Sequence, residues 1–395
     1  MKFPQDFTWG TATAAHQIEG NNKNSDWWEW ENNKKENQKY PLEPSGIACD
    51  SYNRYEEDFD LCAELGNNAV RISVEWARIE PDEGVFSDEE LAHYRDVLKA
   101  AKKRGLKTFV TLHHFTNPIW FAKRGGWESL RSSFFFARYA KKCAEKLGDL
   151  IDVFYTINEP QVYALMSFTI GTWPPQKRNY LSSLIVQLNM ISAHNRAYRA
   201  IKSVKNYPVG IVKNIVWYET YERSWPWDKL GAKLLFFLNC DFFLAPLIRN
   251  CDVLGINYYF TNKIKNLRFQ NPPGLVSNLN WWINPDGLKR ILLHLKKYKK
   301  PIYITENGLA DSEDKIRKIF IKSMLIACVE AMESGAQLEG YFHWSIIDNF
   351  EWHEGFWPRF GLVAIKRKDN LKRVPRKSFY YYQQICNNNS IGSDL

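Results

Sequence analysis

Residues 286–308, "DGLKRILLHLKKYKKPIYITENG", contain one complete structural unit. Across 286–298 apolar residues recur at helical spacing, with Lys and Arg between them. The chain then passes Pro301 into Ile302, Tyr303 and Ile304, residues suited to a buried strand, and the strand ends on Thr305 and Glu306. A carboxylate at the tip of an apolar strand is either a solvated surface group or a group placed on purpose. A second strand of the same design, "FYTINEP" (154–160), ends in Asn158 and Glu159 and favours the second explanation.

The pattern of amphipathic segment, Gly or basic turn, apolar strand and polar tip recurs along the chain. "YEEDFDLCAELG" sets Tyr55, Phe59, Cys62 and Leu65 on one helical face, Gly66 stops it, and "NNAVRISVEW" follows as a strand. "SDEELAHYRDVLKAAKKRG" opens on a capping box, Ser87 to Glu90, and leads into "LKTFVTLHH". "SFFFARYAKKCAEKLG" precedes "IDVFYTINEP", the segment 181–205 precedes "PVGIVKN", and 228–245 precedes "CDVLGINYY". The segment 313–334 precedes "LEGYFHWS", and "FTWGTATAA" near the N-terminus completes eight strands.

Strands that alternate with helices pair in parallel through right-handed crossovers. Eight such units with no linker between them predict an α/β fold, a single (β/α)₈ TIM barrel over residues 1–395. The competing open, doubly wound sheet calls for a Gly-rich phosphate turn after the first strand, and "TWGTATAAHQIEG" matches one poorly.

A closed barrel gathers its strand tips on one face, where such barrels keep their active sites. Gln17 follows the first tip, Arg71 lies in the second strand, and His113 and His114 end the third. Asn158 and Glu159 end the fourth, Asn257 and Tyr259 mark the sixth, and Glu306 the seventh. Trp344 ends the eighth, with Glu351 and Trp352 just beyond it. The chain is rich in rings, with 16 Trp, 20 Tyr and 24 Phe, enough to supply a site as well as the core. Polar groups and indole faces on one rim suit a polyhydroxylated ligand.

Two carboxyls in one pocket suggest glycoside hydrolysis: one protonates the leaving oxygen while the other attacks the anomeric carbon or activates water. The spacing of Glu159 and Glu306 in the chain leaves open whether they stand about 5 Å apart, for retention, or about 6.5–9.5 Å apart, for inversion. His113 and His114 lack the neighbouring ligands of a metal pair, so His113 reads as structural and His114 as a ligand contact. Arg71 also fits a core ion pair, Trp344 and Trp352 fit plain packing, and Gln17 and Asn257 fit turn positions.

Taken in order, "RISVEWARIEP", "TLHHF", "TINEP", "GINYY", "ITENG" and "GYFHWSIIDNFEW…RFGLV" resemble the signature set of glycoside hydrolase family 1, the β-glucosidase family. The resemblance runs from "FTWGTATAAHQIEG" to "KSFYYYQQI". It implies a retaining β-glycosidase with Glu159 as acid/base and Glu306 as nucleophile. Arg71 and Tyr259 would support Glu306, and Asn158 would bond the sugar 2-OH. It further implies that Gln17, His114, Asn257, Trp344, Glu351 and Trp352 bind the sugar and that Trp281 lies on the aglycone side. Glu351 stands where branches acting on 6-phosphosugars carry hydroxyl and basic residues, which favours an unphosphorylated substrate. The alternative is a catalytically weak, carbohydrate-binding relic of the same fold.

The chain is short for that family. It passes almost directly from "FLNCDFFLAPLIR" to "NCDVLGINYY", and little follows "ITENGLAD", so loops around the sixth and seventh units are trimmed. A more open aglycone side is expected.

Small β-glycosides or short oligosaccharides are the expected partners, with no cofactor or metal, since two carboxyls and water suffice. The net charge of +9 is concentrated in 99–107, 289–300 and 366–377, where it reads as solvated faces and a turn and not as a nucleic-acid surface. Seven scattered cysteines without a C-x-x-C point to reduced thiols and a cytoplasmic protein. "MKFPQDFTWG" lacks the apolar stretch of a leader, and no window reaches membrane-spanning length without charges, so no membrane contact is expected.

Overall fold

All eight expected strands form, and a computed structural model of the chain, which describes residues 1–35 and 38–392, closes them into one parallel barrel. The strands are β1 (Thr8–Ala12), β2 (Ala69–Ser73), β3 (Lys107–His113), β4 (Val153–Asn158), β5 (Val209–Asn214), β6 (Val253–Asn257), β7 (Ile302–Asn307) and β8 (Leu338–Trp344). Each pairs with its neighbours in sequence, and β8 returns to β1. The principal helices outside are α1 (Ser51–Glu64), α2 (Asp88–Lys103), α3 (Ser132–Leu147), α4 (Tyr180–Val204), α5 (Pro226–Asn239), α6 (Pro285–Leu295), α7 (Arg317–Glu333) and α8 (Lys377–Asn388).

Strand alternation divides the apolar residues between two layers. On β2, Val70 and Ile72 pack outward with the helices, while Ala69 joins the barrel interior. The interior is filled by Phe109, Tyr155, Val212, Val253 and Phe342, a packed core and not a channel. Gly255 makes room for it: a Cβ there would lie 2.9 Å from Thr305 and Val212 and 3.0 Å from the Tyr155 ring.

The helices follow the sequence reading with local differences. Ser87 caps α2 by accepting the Glu90 amide at 3.1 Å, but the Glu90 carboxylate accepts from Tyr52 at 3.2 Å, so the capping box is half made. The segment 228–245 breaks near Cys240 into α5 and the short helix Asp241–Leu244. The basic stretch 366–377 is mostly the second half of a hairpin, Val363–Lys366 against Lys372–Pro375. All seven cysteines are buried free thiols. No helix among the described residues is long and apolar enough to cross a membrane.

Both trimmed connections are short. A single 3₁₀ turn, Ile248–Asn250, leads into β6, and β7 ends at Asn307, ten residues before Arg317 opens α7. A small sheet (Trp217–Thr220, Thr261–Lys265 and Arg268–Phe269) follows the C-terminal ends of β5 and β6, whereas the first trim leads into the N-terminal end of β6.

Candidate active site

Strict alternation along β7 would send Tyr303 and Thr305 inward and Glu306 outward with Ile304. The pairing of β7 with both neighbours slips after Ile304, and the extra residue turns Glu306 toward the axis. β4 behaves alike. Its register against β5 shifts between Tyr155 and Asn158, and Glu159 follows with a left-handed φ of 44°. Each tip carboxylate is therefore aimed by a local irregularity in its strand.

The two carboxyls meet different surroundings. Glu306 accepts from Arg71 Nη1 through one oxygen and from the Tyr259 hydroxyl at 2.6 Å through the other. The Arg71 guanidinium is fully buried and also donates to Thr111 Oγ1 at 3.2 Å and Asn158 Oδ1 at 2.8 Å, which fixes its plane. Among the described residues Glu159 faces no cation at hydrogen-bond distance. Its Oε1 accepts from Asn214 Nδ2 at 3.0 Å and Asn257 Nδ2 at 2.8 Å. Burial, then the charge of Glu306, pushes the Glu159 carboxyl up to about 7.

A cavity of about 730 Å³ opens over this pair, its lining including Gln17, His114 and Glu351 and the apolar Leu238, Phe260 and Phe269. Gln17 Oε1, His114 Nδ1 and Glu351 Oε2 are buried and have no partner among the described residues. Buried polar atoms are nearly always paired, so three of them lining one cavity mark where a polar ligand belongs. Burial, then the charges of Glu306 and Glu159, raises Glu351 to about 8. Trp352 lies parallel to His114 at 5.9 Å and Trp344 nearly so at 6.2 Å, giving the cavity flat walls. No residue lining it, among those described, is Lys or Arg.

Most of the expected residues converge here. Gln17, His114, Asn158, Glu159, Tyr259, Glu306, Trp344, Glu351 and Trp352 line the cavity, and Trp281 joins its outer wall against Tyr259 at 5.4 Å. His113 turns away to Asn117 at 3.0 Å and Trp127, as a structural histidine would. Asn257 is not among the residues lining the cavity. Expected to touch sugar, it lies beneath the cavity, fully buried, donating to Glu159 and to Asn158 at 3.3 Å and accepting from Thr305 Oγ1 at 2.7 Å. Both ends of its amide are occupied within the protein.

Asn214 was not anticipated. It ends β5 as Asn158 and Asn257 end β4 and β6, and that shared position was the available signal. Trp173 is the other addition; it lines the cavity and packs on Trp352 at 5.7 Å.

Comparison with known proteins agrees with the fold. The family model described as glycosyl hydrolase family 1 matches residues 1–252 and 247–391. The chain belongs to glycosyl hydrolase family 1. As a member it is an O-glycosyl hydrolase. A β-galactosidase of Pyrococcus woesei is 31% identical over 506 aligned residues, covering 98% of each chain. The β-glucosidase A of Thermotoga maritima is 29% identical over 442, covering 99% of each. Among solved structures, a β-glycosidase from Pyrococcus horikoshii superposes with a TM-score of 0.92 at 35% identity, covering all of this chain and 96% of that one. The T. maritima β-glucosidase in complex with glucoimidazole gives 0.92 at 29% identity, covering 99% of this glycosyl hydrolase and 100% of that chain. The family match divides at residues 247–252, where the first trimmed connection lies. Alignments of 506 and 442 positions exceed the 395 residues of this chain, as deletions in it require.

Proposed function

We propose that this glycosyl hydrolase is a retaining β-glycosidase of unphosphorylated β-glycosides, with Glu306 as nucleophile and Glu159 as acid/base. The observation that carries the reading is the opposition between two carboxyls in one cavity. Glu306 is paired with a buried guanidinium and a tyrosine hydroxyl, whereas Glu159 is buried and raised to about 7. A carboxyl raised by burial suits the acid role, and one held by a guanidinium and a hydroxyl suits the nucleophile.

In the first step the Glu306 carboxylate attacks the anomeric carbon, the glycosidic C–O bond breaks, and Glu159 gives its proton to the departing oxygen. In the second step Glu159, now ionised, takes a proton from water, whose oxygen displaces Glu306 and restores the β configuration. Arg71 and Tyr259 orient the nucleophile. Asn158 lines the cavity with its Oδ1 held by Arg71 and its Nδ2 3.1 Å from His114 Nε2, a position suited to a sugar hydroxyl next to the reacting carbon. Gln17, His114 and Glu351 supply open hydrogen-bonding atoms for the remaining hydroxyls.

The relatives named as a β-galactosidase and β-glucosidases support a β-linked substrate. The lack of Lys or Arg among the described lining residues, together with the Glu351 carboxyl, opposes a phosphosugar, whose charge would be buried unpaired. A panel of aryl β-glycosides, plain and 6-phosphorylated, tests the reading with wild type and Glu306→Ala. Cleavage of plain glycosides that is lost in the variant supports it. Cleavage of only the phosphorylated set, or an unaffected variant, overturns it.

A further inference from the structure

The outer wall of the cavity continues into an uncovered apolar face. On α5, Ala232 and Phe236 face the protein while Trp227, Leu230, Leu234 and Leu238 recur at helical spacing on the solvent side, Trp227 64% and Leu234 53% exposed. Leu181, Leu184 and Leu188 form a matching exposed stripe on α4. Gln161 ties the two helices together, donating to Leu238 O at 3.0 Å and Gln187 Oε1 at 3.3 Å. Leu235 and Leu238 also line the cavity, so the apolar face begins where the site ends. Exposed apolar stripes beside the mouth of a cavity mark an interaction site.

Its charge indicates the partner. From Pro160 to Tyr218, a span that includes all of α4, the sequence has no Asp or Glu. The single acid of α5, Asp228, is buried and accepts the amides of Leu267 at 2.7 Å and Asn266 at 3.1 Å. Lys229 and Lys233 of α5 are exposed beside the apolar stripe. Trp, Leu and Lys on one helix face, with no exposed carboxylate, suit the boundary of an anionic lipid layer. A second copy of the chain would instead bring these lysines toward one another.

We propose that this face seats the enzyme on an anionic lipid surface, and that its substrates include β-glycosides whose aglycone is a long alkyl or acyl chain held in that surface. The inference rests on the Glu159–Glu306 reading and names a substrate class for it. It revises the sequence-based expectation of no membrane contact, because it needs a helix lying on the surface and not one spanning it. The sugar would enter toward Gln17 and Glu351 while the chain leaves past Leu235 and Leu238.

The test is co-sedimentation with phosphatidylcholine vesicles, with and without phosphatidylglycerol, alongside hydrolysis of dodecyl β-glucoside in those vesicles and of a soluble aryl β-glucoside. Wild type and Leu230→Glu/Leu234→Glu are compared; both side chains are more than half exposed, so the fold is retained, and circular dichroism verifies it. Wild type is expected to sediment with the anionic vesicles, less so in high salt, and to cleave the dodecyl glycoside at least about tenfold faster than the variant. Aryl hydrolysis is expected to be equal in the two proteins. Failure of wild type to sediment, or equal sedimentation of the variant, overturns the proposal, as does a dimer on gel filtration that only the variant dissolves. Loss of aryl hydrolysis in wild type would overturn the catalytic reading instead.

Discussion

Arg71 holds the Glu306 carboxylate with one guanidinium nitrogen and the Asn158 amide oxygen, at 2.8 Å, with the other. One buried cation thus sets the proposed nucleophile and the Asn158 amide relative to each other, and Asn257 continues the chain of contacts from Asn158 to Glu159.

Replacing Glu306 with Ala removes the proposed nucleophile and leaves Arg71 buried without its anion. Turnover of an aryl β-glucoside is expected to fall by at least about 10⁴-fold, the scale seen when a nucleophile is deleted. Small added nucleophiles such as azide are expected to restore part of it. Steady-state rates with and without azide provide the check.

Tyr259→Phe deletes one hydrogen bond to Glu306 and little volume. A bond to a charged group is worth about 1.5–3 kcal/mol, so kcat is expected to drop about ten- to a hundredfold. An unchanged kcat would remove Tyr259 from the support of the nucleophile.

In the role proposed for it, Glu159 must carry its proton in the first step. With Glu159 at about 7, kcat/KM is expected to decline as pH rises through about 7, and Glu159→Gln is expected to lose that limb. Asn257 donates to Glu159 and so favours its charged form. Asn257→Ala is therefore expected to move the limb to higher pH with KM unchanged. A raised KM with an unmoved limb would return Asn257 to the role of a sugar ligand.

Stability has its own pH dependence at this residue. The folded-state value of Glu159, about 7, lies above the ordinary 4.5, so the folded protein holds an extra proton between them. That contribution is complete below about 4.5 and is lost as pH rises toward about 7. Glu159→Gln keeps an acceptor for Asn214 and Asn257 without the buried charge. The variant is expected to gain up to about 3 kcal/mol over wild type at pH 8 and nothing near pH 4. Thermal melts at the two pH values measure the difference.

Much of the barrel was legible because each strand is a short apolar run between an amphipathic helix and a polar tip, a period-2 signal set against a 3.6 one. The carboxylates were legible for the same reason. Their aim was not: alternation alone would point Glu306 outward beside Ile304, and the slip that reverses it is a property of how β7 pairs with β6 and β8. Asn257 was legible as a tip residue but its contacts were not, because a tip residue beneath the cavity and one inside it look alike in sequence. The outer face of α5 was hidden by a strong helical period, which tells that a stripe is apolar but not that its neighbour is missing.

The central claim is a covalent glycosyl-enzyme on Glu306. Incubation with a 2-deoxy-2-fluoro-β-glucoside bearing a good leaving group, followed by proteolysis and mass spectrometry, tests it directly. A fluoroglucosyl adduct on the peptide containing Ile302–Asn307, localised to Glu306, is predicted. Turnover of ordinary β-glucosides without any adduct, or an adduct on Glu159 or Glu351, would contradict the account.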